Sequence, residues 1–180
     1  PRESCTGVFV GSGRCASEPE ERVAVADMPE LERAILHRLA ELDALVRGAY
    51  MDYDFKRVTH TLSNFMNVDL SAFYFDIRKD TLYCDAPSSL RRRACRTVLD
   101  HLFSCLTAWL APVLCFTMEE VWLSRFPSDE DSVHLRTFPE IPGDWRNEAL
   151  SEKWKKVREL RRVVTGALEV ERREKRIGAS

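Results

Sequence analysis

A helical repeat of apolar side chains is the feature of this sequence that most restricts its fold. Between Met28 and Tyr53, apolar residues recur every three or four positions. This spacing places them on one face of an α-helix, and such a face is stable only when another element covers it. Asp27, followed by Met28 and Pro29, is typical of a helix start, so we predict a first helix from about 28 to 52. The apolar positions between the two ends are Leu31, Ile35, Leu39, Leu42, Val46 and Ala49.

The same period continues along the next stretch and predicts a second helix. Asp54 is a suitable N-cap for this helix, because its carboxylate can accept a hydrogen bond from the first turn. Polar residues of the kind that cap helices interrupt the pattern at 67–71, where they compete for backbone hydrogen bonds, so we predict a kink or a restart there. The helical pattern then resumes at Phe73 and ends at Ala86-Pro87.

Two shorter signals predict the next two helices. Ser88 or Ser89 can cap the first, and Pro112 interrupts it because an interior proline removes a backbone hydrogen bond. The sequence at 117–120, Thr-Met-Glu-Glu, fits a capping box. We therefore predict that the second of these helices starts there and runs to about Arg125.

The C-terminal third combines a long loop with a long helix. Residues 127–147 are rich in proline, aspartate and glycine, and although the alternation at 133–135 allows a short extended piece, we interpret the whole segment as a long connecting loop. A last helix is predicted from about 147 to 177. Its apolar residues, which we expect to face inward, are Trp154, Val157, Leu160, Val164 and Leu168.

These elements predict an all-α fold, an antiparallel bundle of about five helices joined mostly by short loops. We expect the helical domain to cover 27–180 and to be truncated at its C-terminal end, because the helical pattern is still present there. Residues 1–26 hold three of the seven glycines and show no lasting period. We expect them to be a poorly ordered or atypical lead-in.

The residues with chemical potential do not favour an enzyme. The sequence contains no glycine-rich phosphate loop, and its four histidines lie on different elements without the spacing of a metal-binding pair. Glu119-Glu120 is better explained by a helix start than by acid–base chemistry. We therefore predict no catalytic residue, no metal site and no cofactor within this chain.

Apolar runs are short and interrupted by charges, and none approaches the length needed to cross a bilayer. The sequence also lacks a secretory signal pattern, so we expect a cytoplasmic protein without membrane contact. Cysteines in that reducing compartment remain thiols. Cys95, Cys105 and Cys115 lie in apolar helical stretches, and we expect them to be buried and unreactive.

Basic residues cluster at one predicted helix start. Between Ser88 and Arg96 there are four arginines and no acid. Cations disfavour the positively polarised end of a helix, so this arrangement calls for a partner. Acids of the first helix or the phosphates of a nucleic acid would both serve. The four arginines are Arg91, Arg92, Arg93 and Arg96.

Two other groups of cations are candidates for nucleic-acid contact. Lys79 lies among Tyr74, Tyr83 and Asp80, and aromatic and basic residues together can stack bases and hold phosphates. An aromatic core with exposed charges explains the same pattern equally well. From 151 to 180 there are ten bases and five acids, although the whole chain has a net charge of −2. The candidates near the end of this segment are Arg172, Arg173, Lys175 and Arg176.

One stretch is specific enough to indicate a family. The string DLSAFYFDIRKDTLYCD, from Asp69 to Asp85, resembles the bacterial type of isoleucyl-tRNA synthetase. The resemblance covers roughly 27–180, in order. Further matching strings are Trp109-Leu110-Ala111-Pro112, Ser132-Val133-His134-Leu135 and Lys175-Arg176-Ile177-Gly178.

The resemblance implies a class I enzyme that joins isoleucine to its tRNA with ATP. The catalytic motifs, the editing domain and the cysteine-rich zinc module of that family are not in this sequence, so ATP, Mg²⁺ and zinc would bind to other parts of the parent protein. The chain resembles the helical domain that binds the tRNA anticodon stem-loop. Its implied partners are isoleucine-specific tRNA and the catalytic and C-terminal domains of the same parent chain.

A second function is compatible with the same resemblance. The region could act as a structural scaffold that orients the catalytic domain, with RNA contacts supplied elsewhere. Asp76, Lys79 and Asp80 would then be interdomain contacts. Under the first hypothesis, the tRNA-binding candidates are the nine cations named above, from Lys79 to Arg176, which we chose by charge and position.

Overall fold

Six α-helices and one π-helical segment account for most of residues 21–178, which are the residues that the computed structural model describes. This part of the chain contains no β-strand, so the predicted all-α class is confirmed. None of its helices is both long and apolar enough to cross a membrane. The elements are α1 (Glu30–Met51), α2 (Phe55–Asn64), the π-helix (Phe65–Phe75), α3 (Asp76–Cys84), α4 (Leu90–Leu110), α5 (Cys115–Arg125) and α6 (Glu148–Arg173). Short 3₁₀ turns occur at Val25–Asp27, Val133–Leu135 and Gly143–Trp145.

Side-chain contacts define the directions of the first four helices. The Phe55 and Tyr50 ring centroids are 6.0 Å apart, and Arg78 contacts Glu32, so α2, the π-helix and α3 run antiparallel to α1. The Tyr50 hydroxyl donates to the Trp109 carbonyl oxygen at 2.5 Å. The C-termini of α1 and α4 therefore meet, and these two helices point the same way.

Helix α6 crosses back along α1 in the opposite direction. The backbone N–H of Asn147 donates to Nδ1 of His37 at 2.8 Å, and Lys153 Nζ lies 2.6 Å from a Glu30 carboxylate oxygen. The Asn147 side chain accepts from Leu150 N at 2.9 Å, which confirms the predicted start of this helix. It begins beside the middle of α1 and continues past the α1 N-terminus.

The alternating directions give the bundle two distinct ends. We call the end formed by the N-terminus of α1, the C-terminus of α3 and the N-terminus of α4 the near end. The far end is formed by the C-termini of α1 and α4 and the N-termini of α2 and α5. Helix α1 has 22 residues, so the two ends are about 33 Å apart.

Large apolar side chains from α1, α2, the π-helix and α4 fill the core between these ends. The predicted stripe of α1 is buried from Leu31 to Ala49, whereas Tyr53 lies beyond the helix end and is 80 % exposed. Each large side chain removed from water contributes about 1.5–3 kcal/mol. The largest fully buried side chains include Trp109, Tyr74, Phe65, Leu36, Leu39 and Leu42.

A charged network lies within the core toward the near end. The Arg78 guanidinium donates to both carboxylate oxygens of Glu32, at 2.6 and 2.7 Å. The Tyr74 hydroxyl lies 3.4 Å from the same carboxylate and 3.3 Å from the Cys95 sulfur. Burial raises the pKa of Tyr74 well above its usual value and the pKa of Cys95 to about 11. Tyr74 is therefore a core residue, which agrees with the alternative that the residues around Lys79 form an aromatic core with exposed charges.

The helix restart predicted at 67–71 does not occur, and the interruption of the α-helical pattern there takes the form of a π-helix, Phe65–Phe75. The backbone continues from α2 through the π-helix into α3 without a break. The cap-type residue Asp69 does not bond to the local backbone, because its carboxylate is held by Arg38 at 3.4 Å and by Arg158. Tertiary ion pairs thus satisfy a side chain that the sequence pattern assigned to a helix end.

The predicted capping box of α5 is also wrong, and the loop after the helix contains a 3₁₀ turn where a short extended piece was the alternative. The helix begins two residues earlier, at Cys115, and the Glu119 carboxylate accepts from Ser132 Oγ at 2.9 Å and from Val133 N at 3.0 Å. These bonds hold 133–135 as a 3₁₀ turn with Val133 buried. Cys115 is exposed, contrary to prediction, because it occupies the first turn of a helix at the far end.

Burial of the other two cysteines is confirmed. Cys95 and Cys105 both face the interior from α4. Removal from water raises the pKa of the Cys105 thiol to about 12, so the reactive thiolate is disfavoured. The predicted lead-in at 1–26 lies mostly outside the described residues. Within it, Val23 is buried and its N–H donates to Thr97 Oγ1 at 3.2 Å.

The inward orientation predicted for the apolar residues of α6 is largely wrong. Only Trp154 is half-buried, with its ring 6.1 Å from that of Phe73. The last described ion pair from α6 to the bundle is that of Arg161 with Asp76, at 2.6 Å. Beyond it the helix extends to Arg173, and its apolar face has no neighbour within the described chain. The exposed members are Val157, Leu160, Val164 and Leu168.

Candidate nucleic-acid interface

The four predicted arginines of α4 lie together at the near end, and three of them have partners within the chain. Arg92 Nη1 donates to the Asp85 carbonyl oxygen at 2.6 Å. Arg96 pairs with the Glu21 carboxylate at 2.7 Å, and Arg93 Nε donates to the Glu21 carbonyl oxygen at 3.2 Å. These bonds join the α3–α4 turn and the segment before α1 to the start of α4.

The fourth arginine of this group remains available for an external anion. Arg91 is exposed and has no ion pair with any residue in the range 21–178. The acid that pairs with Arg96 is Glu21, which precedes α1. The alternative that an acid of the first helix would pair with this arginine is therefore wrong for Arg96. The near end therefore has a partly neutralised basic surface, and only a minority of its charge is directed at solvent.

Lys79 forms an ion pair within its own helix, and the acid that it contacts also joins α3 to α6. Its Nζ lies 3.3 Å from Asp76 Oδ1, and the other oxygen of Asp76 accepts from Arg161 on α6. The Arg161 hydrogen bond, followed by that of Lys79, lowers the pKa of the Asp76 carboxyl. Tyr83 is 65 % exposed one turn further along α3 and is the aromatic ring still accessible beside these charges.

The predicted cations at the end of α6 are also divided between paired and unpaired side chains. Arg172 lies 2.6 Å from Glu169, and Arg176 lies 3.2 Å from Glu171. Arg173 and Lys175 are exposed and form no ion pair with a described residue. Because α6 runs past the near end, these two cations extend the basic surface that begins at Arg91.

A surface at the far end was missed by the sequence analysis. Tyr53, Phe55 and Phe116 are 80 %, 48 % and 92 % exposed, and all three lie at turns between helices. The helical period had placed Tyr53 and Phe55 among buried positions. A period reports which face of a helix is apolar and not whether another element covers it, so no signal in the sequence marked this surface.

A cavity of about 340 Å³ lies between α1, the π-helix and α6. Its apolar wall includes Ile35, Phe73 and Trp154, and its charged wall includes the pair formed by Asp69 and Arg158. Arg158 also lies over the Phe73 ring, 4.8 Å from its centroid. The charges on this wall already satisfy one another, and they hold α6 against the bundle.

His37, Glu41 and Glu148 have the ligand types of a metal site, but the hydrogen bonds of His37 leave it no lone pair for a metal ion. Ligand atoms of His37, Glu41 and Glu148 lie within 4.8 Å of one another. His37 Nδ1 accepts the Asn147 N–H, so a neutral imidazole carries its proton on Nε2. That nitrogen faces Glu41 Oε1 at 3.5 Å and has no free lone pair for a cation. The arrangement anchors the start of α6 to α1.

Comparison with known proteins agrees with the helical architecture. Residues 32–180 match the family described as the anticodon-binding domain of tRNA ligase. The chain is 64 % identical over 168 residues to an isoleucine–tRNA ligase of Agrobacterium fabrum and 63 % identical to one of Mesorhizobium japonicum. Another, of Rhodopseudomonas palustris, is 58 % identical over 161 residues.

These alignments cover most of this chain and little of its relatives. The alignments with the first two ligases include 93 % of this chain and 17 % of each ligase. The alignment with the third includes 89 % of this chain and 16 % of that ligase. The chain thus spans about a sixth of the length of the relatives it matches. The resemblance to isoleucyl-tRNA synthetases that the string at 69–85 indicated is confirmed. The chain belongs to the anticodon-binding domain family of tRNA ligases.

Proposed function

We propose that this chain is the part of an isoleucine–tRNA ligase that binds the anticodon stem-loop of the tRNA. The family match over 32–180 is the observation that carries the proposal. In the whole protein, isoleucine would be attached to tRNA with ATP and Mg²⁺ bound by a catalytic domain outside this chain. Zinc, where present, would belong to a C-terminal part, and the cytoplasm is the compartment in which tRNA would be charged.

The charge distribution supports contact with RNA phosphates. The segment 151–180 has five more bases than acids in a chain whose net charge is −2. Arg91, Arg173 and Lys175 are exposed toward the near end and pair with no acid among the residues that the structure describes. Such cations bind phosphates without regard to sequence and release counterions when they do. They would hold the stem of the hairpin, and base recognition would require other groups.

A titration of this chain with an RNA hairpin tests the proposal. The hairpin carries the anticodon stem-loop of isoleucine tRNA, and binding is measured by fluorescence anisotropy at several salt concentrations. We expect affinity to fall as salt rises, with a slope close to the number of phosphates neutralised. Absence of binding at low salt would rule out the proposed function.

Two single substitutions on α6 separate unpaired from paired cations. Replacing Arg173 by Gln should weaken binding and reduce the salt slope by roughly 1. Lys155→Gln is the matched control, because Lys155 is exposed on the same helix but pairs with Glu152 at 2.6 Å. An equal loss of RNA affinity in both variants would indicate that the overall electrostatic field of the helix attracts the RNA, and that the unpaired cations make no specific contact.

The scaffold function is favoured by a different observation, the exposed apolar face of α6. Leu160 is 66 % exposed and Val163 is 70 % exposed, which is unusual for a helix that ends in solvent. A domain that mainly orients its neighbours would use such a face as a contact. Charge-neutral variants at Leu160 and Val163 that abolish activity of the full-length enzyme, with RNA binding by this chain undetectable, would establish this function instead.

A further inference from the structure

The exposed aromatic side chains of the far end are brought to the same end of the bundle by the packing beneath them. The Tyr50 ring contacts Phe55 at 6.0 Å, and its hydroxyl bonds to the Trp109 carbonyl oxygen. Trp109 lies one residue before the end of α4, and the short turn after it leads directly to Phe116 on α5. Tyr53, Phe55 and Phe116 therefore project from the same end of the bundle.

Two of these side chains are placed where the fold gives no reason for an aromatic residue. Phe116 is 92 % exposed in the first turn of α5, so it contributes almost nothing to the core. Tyr53 has φ 56°, in the left-handed region that glycine or asparagine occupies at lower conformational cost. A large ring in each position exposes apolar surface to water without stabilising the folded chain, which is the mark of a binding surface.

The surroundings favour a nucleic acid over an apolar protein partner. Lys56 and Arg57 follow Phe55 in the first turn of α2, are exposed, and form no ion pair with a described residue. Two exposed acids, Asp52 and Asp54, flank Tyr53 beside these cations, and the Asp54 carboxylate accepts the backbone N–H of Arg57 at 2.9 Å. Cations at a helix N-terminus are unfavourable alone and become favourable when an anion binds there.

A shallow, open depression continues from this point along one face of α2 and the π-helix. Lys56 lies at one end of it, and side chains with hydroxyl, imidazole and amide groups follow, although most of the accessible lining is apolar. These groups can donate and accept hydrogen bonds at the edges of bases and at the sugar hydroxyls of RNA. The lining residues are Lys56, Thr59, His60, Ser63, Asn64, Asn67 and Val68.

We infer that the far end is a stacking platform for unpaired bases of an RNA loop, with Tyr53 and Phe116 as its stacking rings and Lys56 and Arg57 as its phosphate contacts. This inference rests on the proposed function and assigns the loop to the far end. Single-stranded loops are recognised by stacking of splayed bases on aromatic side chains beside cations, and the far end supplies both. The unpaired cations of the near end, about 33 Å away, would then contact the helical stem.

Substitutions of the two rings test this inference. Tyr53→Ala and Phe116→Ala should each weaken binding of the anticodon hairpin about tenfold, because a base loses its stacking partner. The salt slope should not change, since no charge is removed. Leu135→Ala is the matched control: Leu135 is 75 % exposed beside the start of α5, where the neighbouring His134 contacts the Cys115 carbonyl oxygen, but it has no ring.

A second readout reports stacking directly. A fluorescent 2-aminopurine placed in the loop should be quenched when the hairpin binds the unsubstituted chain, and less quenched with Phe116→Ala. Because both rings are exposed, circular dichroism should show unchanged folding in each variant.

The outcomes separate this inference from the proposed function. If the unsubstituted chain binds the hairpin and both ring variants bind equally well, the platform is refuted and the proposed function stands. If the ring variants instead alter self-association in sedimentation and leave RNA affinity unchanged, the surface belongs to a protein contact and the platform is again refuted. No binding by the unsubstituted chain would refute both.

Discussion

Removing Arg78 should destabilise the domain more than any change on its surface. The Glu32 side chain has no solvent exposure and that of Arg78 has 11 %. Replacement of Arg78 by Met removes two hydrogen bonds, of 2.6 and 2.7 Å, from the Glu32 carboxylate. The remaining neighbour of that carboxylate among the described contacts is the Tyr74 hydroxyl at 3.4 Å. A charged group would then be left in the core without a counterion.

The size of the effect follows from the cost of an unpaired buried charge. Breaking such a pair on one side costs about 3–5 kcal/mol, out of the roughly 5–15 kcal/mol that stabilise a typical domain. In a chain of this size the midpoint of thermal unfolding should fall by about 10 °C. Replacing Glu32 by Leu as well should recover much of this loss, because two apolar residues of similar volume bury no charge.

Urea denaturation followed by circular dichroism measures these free energies of unfolding. The control is Lys79→Met, which breaks the exposed ion pair with Asp76 one residue further along α3 and should cost less than about 1 kcal/mol. The reasoning is refuted if Arg78→Met is as stable as the control, or if the double variant is less stable than Arg78→Met alone. Either result would mean that the carboxylate is not desolvated as its burial indicates.

Three further predictions concern thiols, alkaline pH and a helix cap. With Cys5 and Cys15 replaced by Ser, two thiols should react with a maleimide in the native chain and all four only in denaturant, because burial raises the pKa of Cys95 to about 11 and that of Cys105 to about 12. The thiols expected to react at once are Cys84 and Cys115. Burial raises the pKa of Tyr74, so the stability it provides is complete below about pH 10 and declines as pH rises toward the folded-state pKa. The urea midpoint of the unsubstituted chain should therefore fall between about pH 9 and about pH 11, and the midpoint of Tyr74→Phe should fall less. Asn147→Ala should cost about 1 kcal/mol in the same assay, because it removes the hydrogen bond to Leu150 N, and an unchanged midpoint would show that His37 holds the start of α6 alone.

The sequence predicted those features that depend on local chemistry. The buried face of α1 follows from its period, and the cap at Asp54 follows from its short side chain, which accepts from Arg57 N. Asp69 shows the limit of this reasoning. Its local pattern matched a helix interruption, but Arg38 and Arg158, 31 and 89 residues away in sequence, use its carboxylate instead.

The candidate site was less predictable, because exposure is a property of the assembled bundle. Leu160 has the spacing of a core residue and is 66 % exposed, since the bundle has no element beside that part of α6 in the described chain. Phe116 lies four residues after the matching string that ends at Pro112, yet nothing in the sequence around it shows that it lies at an open end. Charge alone identified nine cations, and only their geometry separates Arg91 and Arg173, which pair with no residue in 21–178, from those held by acids and carbonyls.

Loop discrimination is the measurement that tests binding of the anticodon arm most directly. Two RNA hairpins with the same stem are compared, one carrying the isoleucine anticodon loop and the other a closed tetraloop whose bases are stacked on the stem. Both offer the same stem phosphates, so the difference in affinity isolates the loop. We expect the anticodon hairpin to bind at least about tenfold more tightly at the same salt concentration, as a single stacked base would provide. Equal affinities would contradict the account, because the chain would then bind RNA by charge alone.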